Sequence, residues 1–295
     1  MELHLDHRST PFDLASTLEC GQLFRWQKVD GWWYGVTESA VFKVHQEDNV
    51  LDFEGVDIGS IRNYFRLDDD LPAITSEISR DALIEQAIQA FPGLRLVRQT
   101  PWECLISYIC ATCKNIPAIK NMILRLSERF GEKLAYENHY FHAFPEPRKL
   151  ADATLDGLRT CGLGYRAKPV REVATLVDSE KVDFDWLEEA GYQEAKLTLQ
   201  QLPGVGSKVA DCVLLFSLEK LEAFPVDRWM KRVILEQYTK HFEDWFLTKT
   251  RDKTALAQKG YDTVSSFARD YFGPYAGYAQ EYLFYFARRK MALEV

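Results

Sequence analysis

The stretch from Leu202 to Cys212 contains the residues with the clearest chemical potential in the chain, in the order Leu-Pro-Gly-Val-Gly-Ser-Lys-Val-Ala-Asp-Cys. Gly204 and Gly206 allow the backbone to turn tightly and to approach another surface closely. The N–H groups at the start of a following helix, from Ser207 onward, suit a phosphate oxygen. A plain turn between helices needs only one glycine. The pattern therefore predicts a helix-hairpin-helix over about 192–217 that binds a phosphate backbone.

A lysine and an aspartate follow this turn at an informative spacing. Lys208 lies in the first turn of the second predicted helix, and Asp227 comes 19 residues later within Phe-Pro-Val-Asp-Arg. Both motifs resemble the HhH-GPD superfamily of DNA base-excision glycosylases. The resemblance implies that Lys208 is the nucleophile and that Asp227 lies beside it and stabilises developing positive charge. The simpler alternatives are a phosphate-contacting lysine and an aspartate that caps the helix beginning at Arg228.

Four further segments extend the resemblance over nearly the whole chain and narrow it to the eukaryotic type of 8-oxoguanine DNA glycosylase. They are residues 20–26 (Cys-Gly-Gln-Leu-Phe-Arg-Trp), 99–110, 161–167 (Cys-Gly-Leu-Gly-Tyr-Arg-Ala) and 272–280. The first implies that the Gly21 carbonyl accepts the N–H that oxidised guanine has and guanine lacks. The second resembles the helix before the loop that fills the hole left by the extruded base. The third implies that Tyr165 stacks into the duplex and that Arg166 faces the orphaned partner base.

The last of these segments resembles the start of a C-terminal pocket helix. The resemblance implies that Gln280 bonds the Watson–Crick edge of the base and that Phe284 and Cys212 pack on its two faces. Gln280 and Phe284 are four residues apart, so a helix places them on one face. The implied substrate-binding residues are Gly21, Gln22, Cys212, Pro225, Gln280 and Phe284. The implied DNA-contacting residues are Cys113, Asn115, Tyr165, Arg166, Gly204, Val205, Gly206, Ser207, Arg228 and Trp229.

Core packing is a competing explanation for part of this set. Phe284 belongs to a stripe of aromatic residues that would serve as core, and Cys212 alone would be an ordinary buried thiol. Gln280 is harder to explain in this way, because a buried amide needs hydrogen-bond partners and a base edge supplies them.

Two departures from the family pattern concern the DNA surface. The chain has Cys113-Lys114-Asn115 where eukaryotic members have an asparagine run. Ala118 replaces the arginine that reads the opposite cytosine, and Trp229 replaces a histidine that follows the catalytic aspartate. Because alanine offers no hydrogen-bonding group to a base, we expect relaxed opposite-base specificity, with the remaining selectivity coming from Arg166.

The composition is that of a globular protein, with 295 residues, of which 46% are hydrophobic and 27% charged. The net charge of −8 argues against non-specific coating of nucleic acid, so DNA contact requires a local basic surface. Six sparse cysteines predict reduced thiols rather than a disulfide framework. Cys110-x-x-Cys113 and His139-x-x-His142 supply four zinc ligands on paper. Packing of small thiols in a helix is favoured instead, and no metal site is expected.

Apolar periodicity divides the chain into two parts. Strand patterns over 32–36, 40–44 and 50–53, separated by Glu38-Ser39 and 46–49, predict an antiparallel meander. From Ile58 onward the period is helical, with helices expected at 102–112, 118–130, 168–177, 192–201, 207–217, 228–238, 264–271 and 275–290. The predicted class is α+β, with an N-terminal antiparallel sheet domain over 1–80 and a mostly helical, helix-hairpin-helix domain over 81–295. Its pocket helix spans about 275–290.

The resemblance implies a bifunctional DNA glycosylase and AP lyase that flips 8-oxoguanine out of duplex DNA and excises it through a lysine Schiff base. No cofactor is expected to be required, although the family allows a monovalent or divalent cation at the hairpin carbonyls. We expect a monomer without membrane association, in the cytoplasm near the nucleoid of a prokaryote or in a eukaryotic nucleus. Two alternatives stay open. One is a glycosylase for alkylated purines, which would not need Lys208, and the other is a hairpin module that only binds DNA.

Overall fold

The computed structural model describes residues 1–37, 40–250, 253 and 256–292. Near the N-terminus, a five-stranded antiparallel sheet has the strand order β1-β5-β4-β3-β2. Its strands are β1 (Glu2–His4), β2 (Gln27–Val29), β3 (Trp32–Thr37), β4 (Ala40–Glu47) and β5 (Val50–Glu54). A separate antiparallel hairpin is formed by β6 (Lys133–Tyr136) and β7 (His139–His142).

The predicted meander is confirmed by β3, β4 and β5, in which Tyr34 pairs with Lys43 and Val44 pairs with Phe53. The edge strands β1 and β2 were not predicted, because three residues are too few to show an alternating pattern. The predicted turn at Glu38-Ser39 lies outside the described residues.

Helices account for most of the remaining chain. They are α1 (Leu14–Glu19), α2 (Ile58–Tyr64), α3 (Leu71–Ile78), α4 (Ala82–Ala90), α5 (Pro101–Cys110), α6 (Ile116–Phe130), α7 (Pro147–Ala151), α8 (Leu155–Thr160), α9 (Ala167–Asp178), α10 (Phe184–Glu189), α11 (Tyr192–Leu199), α12 (Ser207–Ser217), α13 (Arg228–Gln237), α14 (Asp244–Thr250), α15 (Gln258–Phe272) and α16 (Ala276–Ala292). Short 3₁₀ turns lie at Gly164–Arg166, Thr239–His241 and Gly273–Tyr275. The predicted α+β class is confirmed.

Several helix boundaries differ from their predicted positions, most of all in α15, which begins at Gln258 rather than at 264. Two of the differences have local reasons. Helix α5 ends at Cys110, two residues early, and Cys113 just beyond it has a positive φ of 56°. Helix α6 begins at Ile116, two residues early, because the Asn115 side chain caps it by accepting from the Ala118 N–H at 3.0 Å. Pro117 lies in its first turn, where the missing N–H is tolerated.

The sheet and the helices have separate hydrophobic cores. The inner face of the sheet packs with α2 around Phe42, Phe53 and Phe65. The larger core surrounds α5, α12 and α16, and it also includes Leu71 and Ile78 of α3. The division of the chain at residue 80 stays a prediction.

A buried arginine fixes the turn at residues 20–26 against the helical region. Arg25 forms a two-point ion pair with Glu103 of α5, with N–O distances of 2.6 and 2.8 Å. It also donates to the carbonyls of Val36 in β3 and His142 in β7, both at 2.8 Å. Because α5 packs on α12, this anchor sets the turn near the helix that carries Lys208.

Candidate active site and DNA-contacting surface

The hairpin turn joins α11 to α12 as the glycine pattern predicts. Gly204 has φ of +80°, and a Cβ on it would lie 2.9 Å from Cβ of Pro169, so a larger residue would be strained and crowded. Gly204 and Gly206 are exposed, whereas Val205 and Ser207 have buried side chains. A contact between DNA and these two residues would therefore have to use the backbone.

Lys208 and Asp227 lie at the starts of two consecutive helices, α12 and α13. The Nζ atom of Lys208 is 4.6 Å from the ring centroid of Tyr108 on α5. Asp227 is the N-cap of α13, since its Oδ1 accepts from the Met230 N–H at 2.8 Å. The alternative role as a helix cap is thus real, and it coexists with a position near Lys208. Burial raises the pKa of Asp227, and the positive charge of Lys208 partly offsets this effect.

Gly21 and Phe284 meet at the interface between the 20–22 turn and α16. Gly21 has φ of +116°, and a Cβ there would lie 3.2 Å from Cε1 of Phe284 and 2.8 Å from Nη1 of Arg288. The same Arg288 nitrogen donates to the Cys20 carbonyl at 2.6 Å. The structure therefore brings together the predicted lesion reader and the predicted stacking residue.

Two adjacent polar side chains of α16 are buried, and one of them, Glu281, contacts the Cys20 thiol of the 20–22 turn. Gln280 is 5% exposed and Glu281 is 2% exposed, and the Oε1 atom of each has no hydrogen-bond partner among the described residues. Burial raises the pKa of Glu281 to about 7, and a hydrogen bond with the Cys20 thiol partly offsets this. The charges of Lys208 and Asp227 also act on the Glu281 carboxyl. Glu281 is thus in contact with the turn that carries Gly21 and is within electrostatic reach of the lysine–aspartate pair.

The Gln22 side chain is hydrogen-bonded to the backbone around this turn. It is 1% exposed, and its Nε2 donates to the carbonyls of Thr17 at 3.0 Å and Arg95 at 2.9 Å. Its Oε1 accepts from the Val97 N–H at 3.0 Å. The Gln22 amide thus holds the backbone on both sides of the turn, and its substrate-binding role stays a prediction. Pro225 is buried just ahead of Asp227, and its role stays a prediction.

The two predicted wedge residues behave differently. Tyr165 is 67% exposed, as a stacking residue should be. Arg166 is 3% exposed, and its guanidinium donates to the Thr112 carbonyl just after α5. The buried guanidinium finds its acceptor in the loop that follows α5, and the role of Arg166 toward the opposite base stays a prediction.

In that loop, one of the two predicted DNA-contacting side chains already has a hydrogen-bond partner within the protein. Cys113 is exposed, but the Asn115 side-chain oxygen is used in capping α6. At the start of α13, Arg228 is exposed and Trp229 is half-buried. The DNA-contacting roles of these residues stay predictions.

Sequence reasoning missed several residues of the site. Glu281, Arg288 and Tyr108 were not singled out, although Glu281 is a charged residue within an apolar helical stripe and directly follows Gln280. That signal was available in the sequence. Ile116, whose Cδ1 would lie 2.8 Å from a Cβ on Gly21, gave no comparable signal.

The candidate zinc ligands do not assemble into a site. Cys110 is buried in the helical core, whereas His139 and His142 lie in the β6–β7 hairpin. Within residues 1–37, 40–250, 253 and 256–292, no group of three or more His, Cys, Asp or Glu residues is arranged to hold a metal ion. In the same residues, no helix combines the length and the apolar character that crossing a membrane requires.

Known proteins share both the sequence and the fold. Residues 4–105 match the family described as 8-oxoguanine DNA glycosylase, N-terminal domain. A probable N-glycosylase/DNA lyase of Methanothermobacter thermautotrophicus is 30% identical, covering 72% of this chain and 70% of that protein. The N-glycosylase/DNA lyase of Saccharomyces cerevisiae is 30% identical, with 92% and 82% covered.

The solved structure of the Clostridium acetobutylicum 8-oxoguanine glycosylase/lyase, bound to double-stranded DNA with cytosine opposite 8-oxoguanine, superposes with a TM-score of 0.85 at 31% identity. It covers 95% of this chain, and 93% of that chain is covered. The fold, with Lys208 after the hairpin and Asp227 beside it, defines the class of helix-hairpin-helix DNA glycosylases. Within that class, the chain belongs to the family of 8-oxoguanine DNA glycosylases, the N-glycosylase/DNA lyases of the HhH-GPD superfamily.

Proposed function

We propose that the chain is a bifunctional DNA glycosylase and AP lyase that excises 8-oxoguanine from double-stranded DNA. One observation carries the proposal, namely the convergence of the Gly21 turn, α16 and the lysine–aspartate pair. Phe284 lies against Gly21, and the charges of both Lys208 and Asp227 act on the buried Glu281 carboxyl. The names of the relatives, which include both activities and this lesion, support the same substrate and reaction.

The pocket residues are suited to an extruded guanine derivative. Flipping costs a few kcal/mol, which stacking on Phe284 and hydrogen bonds to the base edges offset. The Gly21 carbonyl is proposed to accept N7–H, and the free Oε1 of Gln280 is proposed to accept from the Watson–Crick donors. Burial raises the pKa of Cys212 to about 12, so its thiol is neutral at pH 7 and packs as an apolar group.

The proposed chemistry uses Lys208 and Asp227. The unprotonated amine of Lys208 attacks C1′ of the sugar, the C1′–N9 bond breaks, and the base leaves with the electron pair and takes up a proton. The Asp227 carboxylate stabilises the positive charge that develops on the sugar. Loss of a proton from the Lys208 nitrogen and opening of the C1′–O4′ bond give an imine. Removal of a C2′ proton then expels the 3′ phosphate, which is the lyase step.

This reaction needs no cofactor. A cation at the hairpin would have to use carbonyl oxygens near Gly204 to Gly206. The Gly206 carbonyl accepts from the Ala210 N–H at 2.9 Å and keeps a second lone pair. The hairpin carbonyls are therefore suited to bind a cation but do not require one. We infer that the protein acts on DNA as a monomer, in the nucleoid-containing cytoplasm of a prokaryote or in a nucleus.

Borohydride trapping tests the nucleophile directly, because this reductant fixes an imine. Lys208→Gln is expected to abolish both trapping and cleavage of an 8-oxoguanine duplex while retaining binding. The control is Lys181→Gln, which changes an exposed lysine and should trap at the parental yield. Parental trapping by Lys208→Gln would contradict the assignment.

The same assay separates the alternative functions. The parent protein is assayed on duplexes that contain 8-oxoguanine, an abasic site or an alkylated purine, and the cleavage of the three substrates is compared. Release of the alkylated purine without need of Lys208 would favour the first alternative. Binding without any cleavage would favour a DNA-binding module.

We also propose that opposite-base specificity is relaxed. Ala118 presents no reading group, Asn115 is used as a helix cap, and Arg166 is bonded to the loop backbone. A good base contact discriminates by about 1 to 3 kcal/mol, and the structure leaves few side chains here to make one.

Single-turnover cleavage of four duplexes that differ only in the opposite base tests this proposal. We expect comparable rates opposite adenine, guanine, thymine and cytosine, and a gain of cytosine preference in Ala118→Arg. A parental cytosine preference above about a hundredfold, or roughly 2.7 kcal/mol at about 1.36 kcal/mol per tenfold, would refute it. An Ala118→Arg variant without any gain would refute the assignment of this position.

A further inference from the structure

A buried polar network surrounds Asp211, one turn after Lys208 on α12. Asp211 is completely buried, and its Oδ1 accepts from the Tyr192 hydroxyl at 2.7 Å. Its Oδ2 accepts from Lys196 Nζ at 2.9 Å and from the Tyr261 hydroxyl at 2.6 Å. Both carboxylate oxygens are therefore bonded, and the three donors belong to helices α11 and α15.

The two tyrosines of this network have different second partners. The Tyr192 hydroxyl accepts from Lys196 Nζ at 2.9 Å within the hairpin helices, and its other neighbour is the Ser265 hydroxyl of α15. The Tyr261 hydroxyl accepts from the Val226 N–H at 3.1 Å. Val226 directly precedes Asp227, so Tyr261 connects the catalytic helix to the segment that carries the catalytic carboxylate.

A second contact from α15 holds the same segment. Ser265, one turn after Tyr261, is 2% exposed and donates from its hydroxyl to the Phe224 carbonyl at 3.2 Å. Pro225, between these anchor points, has no N–H to donate. Residues 224–226 are thus hydrogen-bonded to α15 on both sides of the proline.

We propose that Tyr261 is a positioning residue that fixes Asp227 relative to Lys208 through the hydrogen-bonded chain Asp211–Tyr261–Val226. The proposal rests on the proposed catalytic roles of Lys208 and Asp227. Lys208 and Asp211 share one rigid helix, and Asp227 follows the anchored Val226, so the two hydrogen bonds of Tyr261 span the distance between the reacting groups.

The phenol must stay protonated to serve in this chain. Burial raises the pKa of Tyr261 well above its ordinary value, and the neighbouring Asp211 carboxylate raises it further. The hydroxyl therefore donates to Asp211 and accepts from Val226 throughout the neutral pH range.

The two tyrosines supply a matched pair of variants. Tyr261→Phe removes a donor from Asp211 and the acceptor of the Val226 N–H. Tyr192→Phe removes a donor from the same carboxylate but leaves Val226 untouched. The phenylalanine ring of this variant also retains the contact with the Arg269 guanidinium, which lies 3.6 Å from the centroid of the Tyr192 ring.

The measurements are single-turnover excision of 8-oxoguanine, affinity for the lesion duplex and thermal unfolding. A misplacement of about 1 Å can cost about a hundredfold in rate, so Tyr261→Phe is expected to excise about 10- to 100-fold more slowly. DNA affinity should not change. Tyr192→Phe is expected to stay within about threefold of the parent rate.

A double variant distinguishes positioning from a general loss of structure. If Tyr261 acts through Asp227, then adding Tyr261→Phe to Asp227→Asn should slow excision no further than Asp227→Asn alone. A full additional loss in the double variant would overturn the proposal. So would a parental rate for Tyr261→Phe, or an equal loss in Tyr192→Phe.

Failure of this inference is distinguishable from failure of the proposed function. A parental rate in Asp227→Asn would remove the catalytic role on which Tyr261 depends. An inactive Asp227→Asn together with a fully active Tyr261→Phe would overturn only the positioning role. If Tyr261→Phe does not fold, Ser265→Ala decides, since it releases the same segment at Phe224 and should also slow excision. A parental rate for that variant would overturn the proposal.

Discussion

Two sides of the proposed pocket differ in how their buried polar atoms are bonded. The catalytic side, made of Lys208, Asp211, Asp227 and Tyr261, has both Asp211 oxygens bonded, and Asp227 also caps a helix. On the reading side, made of Gly21, Gln280, Glu281 and Phe284, Gln280 and Glu281 each keep an oxygen that is unbonded within the described part of the chain. Among the described residues, no buried side-chain atom of the catalytic side lacks a hydrogen-bond partner, whereas two such atoms on the reading side do.

This difference separates two requirements of the enzyme. Groups that act in the transition state gain from being held in place beforehand, and a satisfied network holds them. Groups that recognise a base must offer free hydrogen-bonding atoms. Leaving a buried polar atom unbonded costs about 1 to 3 kcal/mol, and a base with matching donors recovers part of this cost. The unbound protein is therefore destabilised at its reading side, where Gln280 and Glu281 each keep an unbonded oxygen.

The largest expected effect is on the catalytic side. Asp227→Asn keeps an oxygen that can cap α13 but lacks the negative charge, so excision should fall by several powers of ten with little loss of DNA binding. The checks are single-turnover rates and binding of the lesion duplex. A loss of less than about tenfold would mean that Asp227 is only a helix cap.

The pH dependence sharpens the same comparison. Burial raises the pKa of Asp227, so its carboxylate is lost at a higher pH than the ordinary value of 3.8 for aspartate. The parent rate should therefore decline as the pH falls through this raised pKa, and the residual rate of Asp227→Asn should lack that step. An identical decline in both proteins would assign the step to another group.

An intermediate effect is expected on the reading side. Gln280→Ala removes the free amide oxygen and should weaken excision about ten- to hundredfold, in line with about 1 to 3 kcal/mol for a buried polar contact. Phe284→Ala should do comparable damage by removing about 1 to 3 kcal/mol of stacking. The measurement is excision at limiting enzyme, with Tyr285→Phe as a control on the same helix. Unchanged excision by both alanine variants would place the pocket elsewhere.

The parts of the site that the sequence predicted correctly depend on local backbone geometry. The Pro-Gly-Val-Gly turn, the helix starting at Ser207 and the cap at Asp227 follow from residue types within a few positions of each other. Only the family resemblance predicted that Gly21 and Phe284 lie close together, because their sequence positions differ by 263 (284 minus 21).

The hydrogen bonds that the sequence did not predict join residues far apart in the chain. Gln22 is bonded to Arg95 and Val97, and Arg166 is bonded to Thr112, and no periodicity or spacing reveals such pairs. The Asp211–Tyr261–Val226 chain was missed for the same reason, because its members lie on three separate segments. Local patterns thus predicted the elements, and the assignment of individual side chains required their tertiary contacts.

The smallest expected effect concerns the free energy of unfolding of the unbound protein, and it comes from the buried Glu281 on the reading side. Glu281 has a pKa of about 7 in the folded chain, because it is buried, against 4.5 as its ordinary value. Between these two values the unfolded chain releases the proton and the folded chain keeps it. The free energy of unfolding should therefore decrease as the pH rises from about 5 to 7 and level off above the folded pKa.

Glu281→Gln removes this titration while keeping the side-chain shape. Across that range the parent should lose up to roughly 3 kcal/mol relative to the variant, at about 1.36 kcal/mol for each pH unit between the unfolded and the folded pKa. Denaturant unfolding of both proteins at pH 5, 6, 7 and 8 measures the difference, and the exposed Glu85→Gln is the control. If parent and variant show the same pH dependence, Glu281 is already paired before DNA binds. In that case the reading side would be as complete as the catalytic side, and the contrast between them would rest on Gln280 alone.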